Sequence, residues 1–234
     1  MPGNPALAVV IPVYNEEATI TPLLEDWLPI FRDTNAPFRV ILIDDGSKDN
    51  SLKILQTLAE SDRALSVYTQ PNAGHGPSIL KGYRMAAAAE WVFQIDSDHQ
   101  LDTTAFRVLW DNRDQYDLLL AERSDKNASR PRRFISSVSK GIVHLLYGHG
   151  VNDINTPYRL MRTECLRKAL KKIPAASFAP NVLLTSWFVR KKTRIFTTVT
   201  DCRKGVQLRQ SKLNGYFLRG ALRSALQTLF FKIR

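Results

Sequence analysis

Two aspartates separated by one residue at the end of an apolar run carry the clearest chemical signal in the sequence. Asp96 and Asp98 follow the strand-like segment 91–95, and residues two apart in an extended segment face the same way. Two converging carboxylates repel each other unless a cation lies between them, and hard oxygen ligands suit Mg²⁺ or Mn²⁺. Gln100 repeats the spacing and can add a neutral oxygen. A turn or a helix cap is the alternative, but the preceding apolar strand favours a metal site.

A second acidic pair, Asp44 and Asp45, ends another apolar run and is followed by Gly46. A strand-to-helix turn would explain the glycine and one carboxylate, but two adjacent aspartates exceed what a helix cap needs. We interpret the pair as acceptors of hydrogen bonds from a ribose or a base edge. Ligands gather beyond the carboxyl ends of strands in a mostly parallel sheet. Both acidic pairs are therefore predicted to form one site for a divalent metal and a nucleotide.

Two further segments offer groups that suit a nucleotide. Tyr14 has a ring against which a base can lie, and Glu16 can accept from the polar edge of the base, although the start of a helix explains this segment equally well. The glycine-containing turn 70–77, which includes Asn72, has the character of a phosphate-cradling loop, because its backbone N–H groups can face an anion. The turn lacks the Gly-Lys-Ser/Thr ending of a P-loop, which argues against ATPase chemistry.

Alternating strand-like and helical patterns predict the scaffold that positions these residues. Repeated βα units of this length are typical of an α/β fold with a mostly parallel sheet flanked by helices. The segment 124–133 is polar and basic without an apolar period and is predicted to be a loop. The predicted strands are 6–13, 38–43, 65–69, 91–95, 118–121, 156–161 and 194–200, and the predicted helices are 20–31, 52–58, 77–89, 105–110, 134–146 and 182–189.

The composition is that of a folded, basic protein. Of 234 residues, 44% are hydrophobic and 24% are charged, which argues against disorder. Lys and Arg outnumber Asp and Glu by 33 to 22, and the formal net charge of +11 favours an anionic partner. The basic residues are dispersed and no nucleic-acid-binding motif is evident, so we do not expect a nucleic acid as that partner.

The sequence also suggests where the protein acts. Cys165 and Cys202 form no metal-ligand spacing, and we expect both to be reduced thiols. No signal peptide is recognised, and no apolar run reaches the about 18 residues that a membrane span needs. We expect a cytoplasmic protein that associates peripherally with the cytoplasmic membrane face.

The C-terminal segment is predicted to be a separate element. We divide the chain into a catalytic domain, 1–214, and a basic amphipathic helix, 215–234, whose apolar stripe suits a membrane interface. Packing of this helix on its own domain, or in a homodimer, explains the stripe equally well. Phosphates or anionic lipids are expected to be held by the same electrostatic field near Lys171, Lys172, Lys191, Lys192 and Arg194.

Four motifs in the first hundred residues resemble those of the family 2 glycosyltransferases in order and spacing. These are the segments 10–16, 43–51, 72–76 and 94–100. The resemblance implies a GT-A fold and a nucleotide-sugar donor, UDP-, GDP- or dTDP-linked. It further implies that the nucleoside is contacted by Pro12, Tyr14, Glu16 and Asp45, and that the metal on the diphosphate is held by Asp96 and Asp98.

The second half resembles the dolichyl- and polyprenyl-phosphate branch of that family. The segments that carry this resemblance are 132–136, 153–160, 203–205 and 211–213. In that branch an Asp-x-Asp-x-Gln metal triad is typical, and Gln100 fits it. The branch implies a lipid-phosphate acceptor, and the residues expected to bind it are Arg123, Arg132, Arg133, Ser136, Arg203 and Lys212.

The chemistry expected from these residues is inverting sugar transfer to a polyprenyl phosphate. A lipid phosphate is already anionic near neutral pH, so the reaction would need positioning arginines, Arg123 and Arg132, more than a base. Asp98 would hold the metal that neutralises the charge on the leaving diphosphate. The alternative acceptor is a saccharide hydroxyl in polysaccharide or glycolipid assembly, which would require a carboxylate base, and Asp153 is the candidate.

Overall fold

The computed structural model describes residues 4–123, 151–201 and 203. Seven strands form one sheet in the order β3-β2-β1-β4-β6-β5-β7. The strands are β1 (Leu7–Val13), β2 (Phe38–Asp44), β3 (Leu65–Thr69), β4 (Trp91–Gln94), β5 (Leu118–Arg123), β6 (Arg159–Arg162) and β7 (Ile195–Thr200). The helices are α1 (Ile20–Arg32), α2 (Ser51–Ser61), α3 (His75–Met85), α4 (Thr104–Asn112), α5 (Thr163–Leu170) and α6 (Pro180–Arg190), with short 3₁₀ turns at Ala86–Ala88 and Arg113–Gln115.

The sheet is mixed and mostly parallel, as predicted. β1 pairs in parallel with both β2 and β4, whereas β6 runs antiparallel between β4 and β5. β6 is shorter than the predicted strand 156–161, because Thr156 does not join the ladder. Its hydroxyl donates to the Ala121 carbonyl at 2.7 Å, and its own carbonyl accepts from the Arg159 guanidinium. The helix α5 was not predicted.

Two apolar layers cover the two faces of the sheet. Residues of β1 alternate between them, as the period of two in a strand requires. Leu7 and Val9 face the layer that contains α1 and α4, while Ala8 and Val10 face the layer of α3, α5 and α6. Trp27 of α1 lies at the centre of the first layer, where its ring packs against the aromatic rings of Phe31, Phe93, Phe106 and Tyr158 at centroid distances of 5.4, 5.5, 6.1 and 5.6 Å.

The parallel pairing determines which loops meet. β1, β2, β4 and β5 all finish at one end of the sheet, which we call the carboxyl end. β7 runs parallel to β5 and begins at the opposite end, where Arg194 forms an ion pair with Asp117 at 3.1 Å. Lys191 and Lys192 precede Arg194 in the same connection. These three basic residues therefore do not adjoin the acidic pairs.

Several predicted segments lie outside the described residues. These are the basic loop 124–133, the helix 134–146, the C-terminal helix 215–234 with its boundary at 214, and Cys202. Among the helices that the structure describes, none combines the length and the apolar character needed to cross a membrane.

The close approach of α3 to β1 depends on Gly82. A Cβ atom at Gly82 would lie 2.3 Å from Val10 Cγ1. A contact this short belongs to the upper part of the about 1–3 kcal/mol that overpacking a core costs, which exceeds the roughly 1 kcal/mol that alanine gains over glycine inside a helix. We expect Gly82→Ala to lower the free energy of unfolding by about 1–2 kcal/mol in urea titrations. Arg84→Ala on the exposed face of α3 is the control, and a Gly82→Ala protein as stable as the wild type would contradict this packing.

Candidate active site

Most of the predicted site residues within the described part of the chain meet at the carboxyl end of the sheet. Because β1 lies between β2 and β4, the loops that follow these three strands are neighbours. They carry Tyr14 and Glu16, the pair Asp44 and Asp45, and the pair Asp96 and Asp98. Arg123 ends β5 at the same end. Pro12 lies buried within β1.

Side-chain hydrogen bonds lock the loop after β1 to the loop after β2. Ser47 Oγ accepts from the Asn15 N–H at 3.0 Å, and Ser51 Oγ accepts from the Glu16 N–H at 2.7 Å. In return, Asn15 Oδ1 accepts from the Lys48 N–H at 2.7 Å. The sequence reasoning missed these roles of Ser47 and Ser51, which no local pattern indicates. The locked loops hold Tyr14 with 40% of its surface exposed, where a planar ligand can reach its ring.

The buried carboxylate of Asp44 holds the turn that follows β2. It accepts from the N–H groups of Gly46 and Ser47 and from the hydroxyl of Thr69, the last at 2.8 Å. These contacts fix the strand-to-helix turn. Asp44 was predicted to bind a nucleotide, but in this structure its carboxylate is not exposed to a ligand.

Asp45 holds the glycine-containing turn against β2. One carboxylate oxygen accepts from Gln70 Nε2 at 2.8 Å and from the Ala73 N–H at 2.9 Å, and the other accepts from the Gly74 N–H at 2.8 Å. Asp45 is 3% exposed. It therefore shapes the turn that carries Asn72, whose side chain is exposed.

Gly46 lets this turn come close. Its φ is +69°, and a Cβ there would lie 2.9 Å from the Asn72 backbone nitrogen. Only glycine adopts this conformation without strain. The Asp-Asp-Gly sequence thus serves the packing of two loops as well as carrying charge.

The acidic pair Asp96 and Asp98 lies on the loop after β4. Burial, followed by the charges of Asp96 and Glu16, raises the pKa of Asp98 to about 6, and the N–H of Gln100 offsets this only in part. Asp96 Oδ1 lies 3.4 Å from Gln94 Nε2 and 3.6 Å from His75 Nε2. The surrounding side chains, including the charge of Arg123, therefore relieve the repulsion between the two carboxylates only in part.

This donor set fits a hard divalent cation. Within the described ranges 4–123, 151–201 and 203, no group of three or more His, Cys, Asp or Glu side chains is arranged to hold a metal. Mg²⁺ needs no such protein cage, because it commonly binds through one or two carboxylates together with waters and substrate phosphates. A cation at Asp96 and Asp98 would offset the repulsion that raises the pKa of Asp98. Gln100 follows on the same loop, and its backbone N–H donates to Asp98 Oδ1 at 3.3 Å.

Arg123 and Asp153 form a two-pronged ion pair beside the acidic pair. Arg123 Nε and Nη2 donate to the Asp153 carboxylate at 2.7 and 3.1 Å. Burial would raise the pKa of Asp153, but the charge and hydrogen bonds of Arg123 outweigh burial and the pKa lies below its usual value. Asp153 is therefore a weak base in this structure. Arg123 also feels the charges of Asp96 and Asp98, which help to raise its pKa.

A buried polar network underlies the acidic pair. The Tyr83 hydroxyl lies within hydrogen-bonding distance of Gln94 Oε1 and of Asn181 Oδ1, the latter at 3.1 Å. The fully buried guanidinium of Arg159 donates to the carbonyl of Asn181 at 3.1 Å. Because Gln94 in turn contacts Asp96, the network supports the acidic pair from within the core. Sequence reasoning missed it.

The remaining predicted acceptor residues fall into two groups. The guanidinium of Arg203 contacts Asp26 and His99, so this residue has partners other than the acceptor phosphate that was predicted for it. Arg132, Arg133, Ser136 and Lys212 lie outside the described residues.

Comparison with known proteins identifies related sequences. A family model described as glycosyl transferase family 2 matches residues 8–181, about three quarters of the chain. The undecaprenyl-phosphate 4-deoxy-4-formamido-L-arabinose transferase of Edwardsiella ictaluri is 28% identical over 192 residues, which cover 81% of this chain and 58% of that protein. The transferase of the same name from Pseudomonas paraeruginosa is 30% identical, with coverage of 81% and 56%. The chain thus spans less than two thirds of the length of these relatives.

A solved structure has the same fold. The glucosyl-3-phosphoglycerate synthase from Mycobacterium tuberculosis, in complex with Mn²⁺, UDP and glucosyl-3-phosphoglycerate, superimposes with a TM-score of 0.65 at 18% identity. The match covers 96% of this chain and 78% of that one. It confirms the predicted GT-A fold.

Asp98→Asn should stabilise the protein in metal-free buffer, because the amide removes a carboxylate that is costly to ionise in the folded state. A pKa raised to about 6 means that ionised Asp98 destabilises the fold above that pH, and that the cost fades as the pH falls toward 4. We expect the variant to gain about 1–2 kcal/mol in free energy of unfolding at about pH 8, after allowance for solvent screening, and nothing near pH 4.

Urea titrations with EDTA at both pH values test this expectation. Asp111→Asn is the matched control, since Asp111 lies on the exposed surface of α4, where it pairs with Arg107 at 3.5 Å. If the Asp98→Asn protein is less stable than the wild type at the higher pH, favourable interactions within the folded protein already outweigh the cost of ionising the Asp98 carboxylate.

Proposed function

The chain belongs to glycosyl transferase family 2, and on that basis we propose that it is a metal-dependent, inverting glycosyltransferase. The proposed reaction moves a sugar from a nucleotide-sugar donor to a polyprenyl phosphate, dolichyl or undecaprenyl. The observation that carries the proposal is the position of Asp96 and Asp98, beside the loop of Tyr14 and the turn held by Asp45, at one end of the sheet. The two related undecaprenyl-phosphate transferases support the acceptor.

The donor would bind across the loops after β1 and β2. The exposed ring of Tyr14 offers a surface for the base, and Glu16 offers a carboxylate for its polar edge. Asp45 would act by holding the turn that contains Asn72, whose exposed side chain adjoins the same space. The proposal covers UDP, GDP and dTDP as the nucleotide.

The acidic pair would serve the diphosphate. Asp96, Asp98 and Gln100 would hold Mg²⁺ or Mn²⁺, which as a Lewis acid neutralises the charge that develops on the leaving nucleoside diphosphate. The complex of the Mycobacterium tuberculosis synthase with Mn²⁺ and UDP supports this assignment. Above about pH 6 Asp98 is ionised, which is the form that binds a cation.

A phosphate acceptor suits the pairing of Arg123 with Asp153. An anionic acceptor needs no general base, and Asp153 is a weak base because of its ion pair. Arg123 presents a planar guanidinium that suits a phosphate, and Asp153 would orient it. Arg132, Arg133, Ser136 and Lys212 remain proposed phosphate ligands. A polyprenyl phosphate lies in a membrane, so the proposal includes peripheral association with an anionic, cytoplasmic membrane face.

Transfer to a saccharide hydroxyl is the second candidate. It is favoured by the position of Asp153 at the carboxyl end of the sheet, where it pairs with Arg123, whose charge interacts with those of the acidic pair. It would require Asp153 to leave its ion pair before accepting a proton. We therefore rank it below the phosphate acceptor.

Release of nucleoside diphosphate tests both candidates. The full chain is incubated with Mn²⁺ and a panel of UDP-, GDP- and dTDP-sugars, with and without a short polyprenyl phosphate. Stimulation by the lipid is the expected result. Donor hydrolysis that ignores the lipid but rises with a saccharide would favour the second candidate, and silence across the panel would contradict the proposed activity.

Arg123→Gln should weaken use of the phosphate acceptor. Loss of the guanidinium removes a charged hydrogen bond to the phosphate worth about 1.5–3 kcal/mol, so we expect kcat/KM for polyprenyl phosphate to fall at least about ten-fold. Arg107→Gln, on the exposed face of α4, is the matched control and should behave as wild type. Equal activity of the Arg123→Gln and wild-type proteins toward the lipid would remove Arg123 from the acceptor site.

A further inference from the structure

The loop that carries the acidic pair has little regular structure of its own. We call residues 95–101 the acidic loop. Between β4 and α4 it contains only turns and a single bridge at Leu101, and its His99 adopts a φ of +54°. A residue with a Cβ keeps a left-handed conformation only when its surroundings hold it there. The position of Asp96 and Asp98 must therefore be determined by contacts from outside the loop.

Helix α1 supplies two such contacts. Thr19, the residue before α1, places its hydroxyl 3.0 Å from the Ser97 carbonyl oxygen and 2.7 Å from Glu16 Oε2. Asp26, two turns further along, has Oδ2 at 2.9 Å from His99 Nε2. Positions seven apart fall on the same face of a helix, so one face of α1 contacts the acidic loop at two points.

Arg203 adds a third contact through Asp26. Its guanidinium contacts the Asp26 carboxylate, while its backbone N–H donates to the Gln100 carbonyl at 2.9 Å. Asp26 therefore contacts His99, the residue before Gln100, and Arg203, whose backbone N–H binds the Gln100 carbonyl. The side chain of Asp26 is about one-third exposed, so its carboxylate is not required for the packing of the core.

We propose that Thr19 and Asp26 are positioning residues of the metal site: they hold the acidic loop so that Asp96 and Asp98 converge on one cation. The proposal rests on the metal-dependent function proposed above. The contacts of these two residues go to the Ser97 carbonyl and to the His99 ring rather than to the carboxylates of Asp96 and Asp98. Their task is to keep two like charges together on a segment whose ends are anchored in the core by Ile95 and Leu101 but whose middle belongs to no ladder or helix. Partners of metal ligands commonly change metal affinity by 10–100-fold when they are removed.

The test measures Mn²⁺ binding directly. The loss of the free Mn²⁺ signal in electron paramagnetic resonance gives the Kd of the full chain with UDP, and in parallel with GDP. We expect Asp26→Asn and Thr19→Val each to raise this Kd about ten-fold, and Thr19→Ser, which keeps the hydroxyl, to restore it. Glu25→Gln is the matched control, because Glu25 is an exposed neighbour of Asp26 on α1.

Three outcomes are informative. Weaker Mn²⁺ binding in both variants, with thermal unfolding in EDTA close to that of the control, supports the proposal. Unchanged Mn²⁺ affinity together with a lower unfolding temperature would overturn it and assign a merely structural role to these contacts. If the wild-type protein fails to bind Mn²⁺ with either nucleotide, both this proposal and the metal dependence of the proposed function are overturned.

Discussion

Burial of the Asp98 carboxylate, with a second carboxylate at Asp96 on the same loop, is the constraint on which the arrangement of the carboxyl end depends. Burial and the neighbouring charges raise the pKa of Asp98, so the protein must hold the acidic pair against its own electrostatic preference. Apolar packing cannot do this between the two residues that anchor the acidic loop in the core, Ile95 and Leu101, because apolar side chains compensate no charge. Order at this end comes instead from side chains that bond to backbone groups of other loops, such as Ser51 to Glu16 and Asp45 to Gly74.

The first half of the fold could be predicted because its signal is periodic. β1, β2 and the strands beside them are continuous apolar runs, as expected of parallel strands covered on both faces, and the helices between them repeat apolar residues every three or four positions. The general location of the site follows from the same pattern, since the ends of parallel strands meet. Acidic residues just past those ends were therefore recognisable without coordinates.

Contacts between polar residues that are far apart in the chain leave no periodic signal in the sequence. The pairing of Arg123 with Asp153 spans 30 positions, and the sequence offered the two residues only as separate functional groups. Asp26 lies on α1 and Thr19 just before it, and the apolar pattern of that helix marks its buried face and says nothing about the other one. The helix α5 was missed because only two of its apolar residues, Leu166 and Ala169, are fully buried, and Thr156 left the predicted strand because its hydroxyl found a carbonyl.

The contacts of the acidic loop also bear on the order in which the molecule acquires its parts. His99 is 73 positions from Asp26 and 104 from Arg203, whereas the β1 and β2 strands are joined by a single helical connection. Closing such long loops costs chain entropy that local pairing does not, so native contacts of this kind form late. A chain still emerging from the ribosome could pair β1 to β4 and pack the core around them well before Arg203 could reach Asp26.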